Sequence, residues 1–130
     1  MIVGIGVDLA EVDRIRQAIE RPGSGERFKA RVYTAGEQAY CERRKRKYES
    51  YAARFAAKEA VMKALGRGWS AEVTWIEIEV YRARGSRPEI RLHGKTAEYS
   101  AKLGVQKIAL ALTHTAETAM AQAIAEGTLD

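Results

Sequence analysis

Fifteen residues, Tyr51 to Leu65, constrain this chain more than any other stretch. The segment YAARFAAKEAVMKAL is rich in Ala, Lys, Glu, Met and Leu, the strongest helix formers, and Gly66 follows it as a natural C′ glycine. At about 100° per residue, Tyr51, Phe55, Glu59 and Met62 fall on one narrow stripe. An apolar stripe has to be buried, and a carboxylate inside it costs free energy unless something satisfies it. A Glu59 to Lys63 pair one turn apart contributes only a few tenths of a kcal/mol, and it leaves the apolar neighbours of Glu59 unexplained. A cation on Glu59, with a phosphate on Lys63, accounts for both.

The rest of the chain alternates short strands and helices. Met1 to Val7 is an apolar, β-branched run with two glycines, read as a buried strand that stops at Asp8. From Glu11, the spacing of Val12, Ile15 and Ile19 predicts an amphipathic helix, ended by the loop Pro22-Gly23-Ser24-Gly25. Phe28 to Tyr48 reads as helical in pieces, with Gly36 as its weak point. Trp75 to Tyr81 alternates, with Ile76, Ile78 and Val80 on one side and Glu77 and Glu79 on the other. That pattern predicts a half-buried strand, with a turn at Gly85 to Pro88 and a return strand at Glu89 to Leu92. Lys95 to Leu103 reads as a helix and Ile108 to Leu112 as a strand. Thr118 to Ala125 has alanines that favour helix, yet a strand returning through Thr115 to Glu117 would complete a sheet. This irregular order points to an α+β fold, and the length of 130 residues to a single domain over 1–130. No apolar run reaches the roughly 18 residues needed to span a membrane, and the N-terminus does not read as a signal peptide. The lone Cys41 excludes an internal disulfide framework or a Cys-rich zinc site and fits a reducing, cytoplasmic location.

Three further features bear on chemistry. Asp8 stands where the first strand stops; it is either a helix N-cap paired with Glu11 in a capping-box-like arrangement or a carboxylate available to a hard cation. Asp8 and Glu59 together are suitable ligands for Mg²⁺, which is usually held by one or two carboxylates plus substrate phosphates. The basic run Arg43-Arg44-Lys45-Arg46-Lys47, continued by Arg54, Lys58 and Lys63, is either a solvated helix face or a grip for polyphosphate or nucleic acid. With 22 Lys and Arg against 17 Asp and Glu, the net charge of +5 favours an anionic partner without choosing among these. His114, between Thr113 and Thr115 at a strand end, is either structural or a phosphate or ribose contact. His93 reads as surface, and Cys41 as a buried residue without a role.

Gly4-Ile5-Gly6-Val7-Asp8 with Glu11 and Arg14-Ile15, then Arg54-Phe55-Ala56-Ala57-Lys58-Glu59-Ala60 with Lys63-Ala64 and Gly66, then Thr113-His114-Thr115, closely resemble the bacterial holo-acyl-carrier-protein synthases, the small 4′-phosphopantetheinyl transferases. The resemblance runs nearly end to end, and its most specific block is R-F-A-A-K-E-A-x-x-K-A. It implies an enzyme that moves 4′-phosphopantetheine from coenzyme A to a serine of apo-acyl carrier protein, releasing adenosine 3′,5′-bisphosphate, in fatty acid biosynthesis. It implies that Asp8 and Glu59 hold Mg²⁺ against the coenzyme A diphosphate and that Lys63 steadies the same phosphate or assists the leaving group. Arg46, Arg54, His114 and Thr115 match positions that contact the nucleotide end. Arg14 and Arg16 lie on the helix that meets the acidic carrier protein. The nucleophile belongs to the carrier. The implied assembly is a homotrimer with active sites at the subunit boundaries.

Three places depart from the family pattern: Pro22 to Gly25, Trp69 where a smaller aliphatic is usual, and Arg84-Gly85-Ser86-Arg87 in the hairpin turn. A small basic nucleic-acid-binding module is the rival reading from another class; it leaves Glu59 unexplained and lacks an aromatic stacking motif. A related transferase serving polyketide or peptide-synthesis carriers would share the chemistry and differ only in partner.

Overall fold

The computed structural model describes residues 1–128. Strand β1 (Ile2–Glu11) leads into α1 (Val12–Glu20), followed by α2 (Gly25–Val32), α3 (Ala35–Glu42) and the long α4 (Lys47–Leu65). A short 3₁₀ helix (Trp75–Glu77), β2 (Ile78–Tyr81), β3 (Glu89–Leu92), α5 (Gly94–Lys102), β4 (Val105–His114) and β5 (Thr118–Gly127) complete the chain. The strands form two antiparallel sheets, one in the order β1-β5-β4 and one pairing β2 with β3. The α+β class matches expectation, and Glu89 to Leu92 returns against Ile78 to Tyr81. Among the described residues, no helix is long and apolar enough to cross a membrane.

The core forms where α4 lies on the three-stranded sheet. Ala119, Ala121, Ala123 and Ala125 of β5 are fully buried, as are Ala56, Ala57 and Ala60 of α4. Small residues on both faces let the two backbones approach closely. A Cβ on Gly6 would collide with the backbone oxygen of Ala60, and one on Gly4 with that of Ala64. Thr118 to Ala125 is therefore strand: its alanines alternate in burial against the helix, and packing overrides their helical propensity. Gly6→Ala should cost about 1–3 kcal/mol, because the obstructing atom is main chain that cannot retreat without disturbing α4. Gly36→Ala is the control, since a Cβ there meets nothing nearer than 3.9 Å. Urea unfolding of the two variants checks the difference in direction.

Several sequence expectations are corrected. β1 does not stop at Asp8; it continues to Glu11 because β5 pairs with it that far, and Asp8 faces Ala121 in the register. Asp8 is thus no N-cap, and Glu11, which does precede α1, makes no side-chain capping bond. The helical stretch after Phe28 breaks at Tyr33–Thr34 rather than at Gly36. The Glu37 N–H donates to Thr34 Oγ1 (3.1 Å) and the Thr34 N–H to Glu37 Oε1 (2.8 Å), a capping box that starts α3. Arg43 to Arg46 form the turn between α3 and α4 rather than a helix face. Trp75 to Glu77 is 3₁₀ helix, not strand, because side chains claim its surroundings. The Lys58 ammonium donates to the carbonyls of Trp75 (2.9 Å) and Ile78 (2.6 Å). The Glu77 carboxylate accepts from the N–H and hydroxyl of Thr96 at the start of α5 (3.1 and 2.9 Å).

Lys58 itself is fully buried and paired with Glu37 at 2.8 Å. It therefore belongs to the interior and not to the cationic surface with which the sequence grouped it.

Candidate active site

The close packing of β1 on α4 brings Asp8 beside the last turns of the helix, where Lys63 lies. The Lys63 ammonium donates to Asp8 Oδ1 (2.8 Å) and to the Val7 carbonyl (3.0 Å). Lys63 is thus engaged by Asp8 across the interface, rather than by Glu59 one turn earlier. The Trp75 indole N–H donates to Glu59 Oε2 at 3.1 Å. Burial raises the affinity of the Glu59 carboxyl for its proton; the indole hydrogen bond opposes that, the Asp8 charge adds to it, and Lys63 lowers it. The Asp8 charge thus works against ionisation of Glu59, and Lys63, bonded to Asp8, works for it.

This donor set suits a hard, partly hydrated cation. Among the described residues, no group of three or more His, Cys, Asp or Glu side chains could enclose a metal. Two carboxylates leaving the remaining positions to water and phosphate oxygens fit Mg²⁺ rather than a closed structural site.

The Glu59 shift has a stability consequence. The carboxyl loses its proton more easily unfolded than folded, so the unfolded chain binds fewer protons above the ordinary carboxylate range, and stability falls as pH rises through the folded value. Glu59→Gln removes that penalty. In chelator, its melting temperature should exceed that of the wild type at pH 7.5, with the gap closing below about pH 4. A lower melting temperature at pH 7.5 would contradict this account.

A second cluster sits at the other end of α4. Arg46 precedes the helix, Glu49 lies in its first turn, and His114 ends β4. The His114 ring Nδ1 lies 3.0 Å from Glu49 Oε1, while the exposed Arg46 guanidinium is 3.9 Å from the other Glu49 oxygen. A cleft of about 430 Å³ opens here among Arg43, Arg44, Lys45, Arg46 and His114. Thr115 shapes the adjacent turn: its hydroxyl accepts the N–H groups of Glu117 (3.2 Å) and Thr118 (3.1 Å).

Arg54 lies deeper. Its guanidinium stacks 4.0 Å from the Tyr40 ring centroid, and its buried Nε has no protein partner. On α1, Arg14 is exposed, whereas Arg16 is engaged by Asp13 and by Glu20 at 2.8 Å. Burial pushes the Cys41 thiol up to about 12, so it is inert.

The sequence-predicted residues thus fall into separate groups. Lys63 joins Asp8 one turn beyond Glu59, and Arg46 and His114 share Glu49. Ten residues of α4 separate Glu49 from Glu59, which is about 15 Å of helix. Two residues the sequence did not single out belong to these groups. Glu49 is visible only as an acid just after a basic run. Trp75 carries no local signal, since its partner is remote in sequence.

Comparisons with known proteins bear on the family and the fold. A family model described as the 4′-phosphopantetheinyl transferase superfamily matches residues 4–123. The chain is 57% identical over 126 residues to the holo-[acyl-carrier-protein] synthase of Solibacter usitatus, covering 97% of this chain and 99% of that one. It is 46% identical to the same-named protein of Koribacter versatilis, again over 97% and 99%. Its fold superposes on holo-[acyl-carrier-protein] synthase of Neisseria meningitidis with a TM-score of 0.87 at 28% identity, over 97% and 99% of the two chains. The synthase of Bacillus anthracis, solved in complex with CoA (3′,5′-ADP), gives a TM-score of 0.79 at 32% identity over 98% and 99%.

Proposed function

From the premise that this chain belongs to the 4′-phosphopantetheinyl transferase superfamily, among the holo-[acyl-carrier-protein] synthases, we propose a Mg²⁺-dependent transfer of 4′-phosphopantetheine from coenzyme A to a serine of apo-acyl carrier protein. Adenosine 3′,5′-bisphosphate leaves, and the reaction serves fatty acid biosynthesis in the cytoplasm. The observation that carries this reading is the meeting of Asp8, Glu59 and Lys63 across the β1–α4 contact.

Asp8 and Glu59 would hold the cation; when bound, it neutralises charge on the diphosphate oxygens. Lys63 uses two of its three donors on Asp8 and Val7, and the third serves a phosphate oxygen. Glu59 Oε2 is occupied by the indole, so Oε1 is the oxygen free for the cation or for the serine proton. At the nucleotide end, Glu49 fixes the His114 ring through Nδ1, leaving Nε2 to meet phosphate beside Arg46. Arg54, with an unsatisfied buried donor, belongs to the same cationic end, and the Thr115 turn sets the direction of His114.

The assembly is a homotrimer with shared sites. Two features support it. The roughly 15 Å along α4 keeps the His114 cluster away from Asp8 and Glu59 of its own chain. The sheet face opposite α4 also exposes Ile5, Val7, Leu9 and Met120, an apolar surface suited to a second copy. His114, Thr115 and Arg46 of one copy would then complete the carboxylate site of the next.

The acidic carrier docks along α1. Arg14 stands at a groove of about 480 Å³ with Leu9, Ile15, Phe28 and Phe55, so an apolar floor is bordered by one cation, with Glu11 also on its rim. Arg16, already engaged by two acids, contributes less than Arg14.

Mass spectrometry of apo-carrier incubated with the protein, coenzyme A and Mg²⁺ should record the gain of one phosphopantetheine, abolished by chelator. An unmodified carrier would overturn the assignment. Arg14→Ala should raise KM for the carrier about tenfold with little change for coenzyme A, as expected for one charge-assisted contact. Equal damage to both constants would remove α1 from the docking surface.

A further inference from the structure

We propose that Trp75 is a positioning residue, whose indole N–H holds one oxygen of Glu59 so that the other is presented in a fixed direction to a divalent cation. The inference rests on the reading of Asp8 and Glu59 as a cation site. It concerns a residue outside the motif blocks that carry the family resemblance.

Among the described residues, Trp75 Nε1 is the only hydrogen-bond donor to the Glu59 carboxylate. The terminal torsion of a glutamate is broad, so without a donor the carboxylate plane rotates freely. Fixing it before the cation arrives removes an entropic cost that binding would otherwise have to meet.

Trp75 can act this way because it is itself immobilised. Its carbonyl is held by the buried Lys58 ammonium at 2.9 Å. The preceding residue, Thr74, donates its N–H to Thr96 Oγ1 at 3.1 Å, and Glu77 anchors the other end of the 3₁₀ turn to α5. The indole stacks with Phe55 and with Trp69, at centroid distances of 6.5 and 5.2 Å and interplanar angles of 26° and 22°. Backbone clamps and ring stacking together set where the N–H points. Lys58 and Glu59 are neighbours on α4, so the helix that carries the carboxylate also pins the turn that orients it.

This arrangement has the form of an outer-shell contact to a ligand, and loss of such contacts costs about 10–100-fold in metal affinity. The stack and the hydrogen bond can be separated by substitution. Trp75→Phe keeps a six-membered aromatic ring in the stack and removes the N–H together with the rest of the indole's second ring. Trp69→Phe changes the same stack without touching the hydrogen bond.

The test is a Mn²⁺ titration of the protein without coenzyme A, with free Mn²⁺ followed by electron paramagnetic resonance. Trp75→Phe should raise the Mn²⁺ Kd at least about tenfold, and Trp69→Phe should leave it within about twofold of the wild type. In turnover, the Trp75→Phe defect at limiting Mg²⁺ should be recovered by raising Mg²⁺, whereas a merely structural lesion would not be. Equal Mn²⁺ affinity in Trp75→Phe and wild type, or equal losses in the two tryptophan variants, would overturn the proposal while leaving the cation site intact. If wild type and Glu59→Gln bind Mn²⁺ alike, the cation site itself is wrong, and the role of Trp75 falls with it.

Discussion

Asp8→Ala and Glu59→Ala should each slow phosphopantetheine transfer by about 10²–10³-fold or more at saturating Mg²⁺, with the chain still folded. Each removes half of the carboxylate pair, and a single remaining carboxylate beside Lys63 leaves little net negative charge to attract a cation. The two losses differ in kind. Asp8→Ala also leaves Lys63 with only the Val7 carbonyl as a partner, so its ammonium is held less firmly. Glu59→Ala strands the Trp75 N–H instead. Glu59→Gln retains size and an acceptor for the indole but not the charge, and it should be nearly as inactive as Glu59→Ala. Initial rates from the carrier's mass, with melting curves recorded in parallel, separate loss of chemistry from loss of fold. A loss below tenfold in either alanine variant would contradict the assigned roles.

Lys58→Met should be strongly destabilising, and it should also loosen the turn from which Trp75 reaches Glu59. Its ammonium makes three bonds, to Glu37, Trp75 and Ile78, with no exposure to water. Burial depresses its affinity for the proton, and Glu37 holds the charge in place. Removing it leaves a buried carboxylate uncompensated, takes the donor from the Ile78 carbonyl, and leaves the Trp75 carbonyl with the Ile78 N–H alone. Breaking such a pair costs about 3–5 kcal/mol, equivalent to a fall of about 10–18 °C in melting temperature for a chain of this size. Adding Glu37→Gln should restore part of the loss, because no charge is then stranded. Full recovery is not expected, since both Glu37 oxygens are in use: one accepts the Thr34 N–H and the other the Val80 N–H at 2.7 Å. A melting temperature within a few degrees of wild type for Lys58→Met would show the pair to be dispensable.

The parts of the fold written in local chemistry were legible in the sequence. Tyr51 to Leu65 has the propensity and terminal glycine of a helix, and Gly66 does adopt the left-handed conformation, at φ 75°. The hairpin from Ile78 to Leu92 carries its own alternation. What was not legible depends on remote partners. Asp8 looks like a cap until β5 extends the pairing of β1 to Glu11, and Trp75 to Glu77 looks like strand until Lys58 claims the Trp75 carbonyl. Lys58 reads as surface charge because nothing near it in sequence announces Glu37.

The site follows the same division. Asp8, Glu59 and Lys63 could be chosen by residue type, but their meeting depends on the close approach that Gly4 and Gly6 permit against α4. The placement of Arg46 and His114 at the far end of that helix, and the roles of Glu49 and Trp75, are properties of the folded chain.

Diffraction at the manganese edge from crystals grown with coenzyme A and Mn²⁺ bears most directly on the central claim. A single anomalous peak should lie within bonding distance of carboxylate oxygens of both Asp8 and Glu59 and of the coenzyme A diphosphate, with His114 from a neighbouring copy at the nucleotide end. A peak held by neither carboxylate, or a diphosphate bound elsewhere on the chain, would contradict the account.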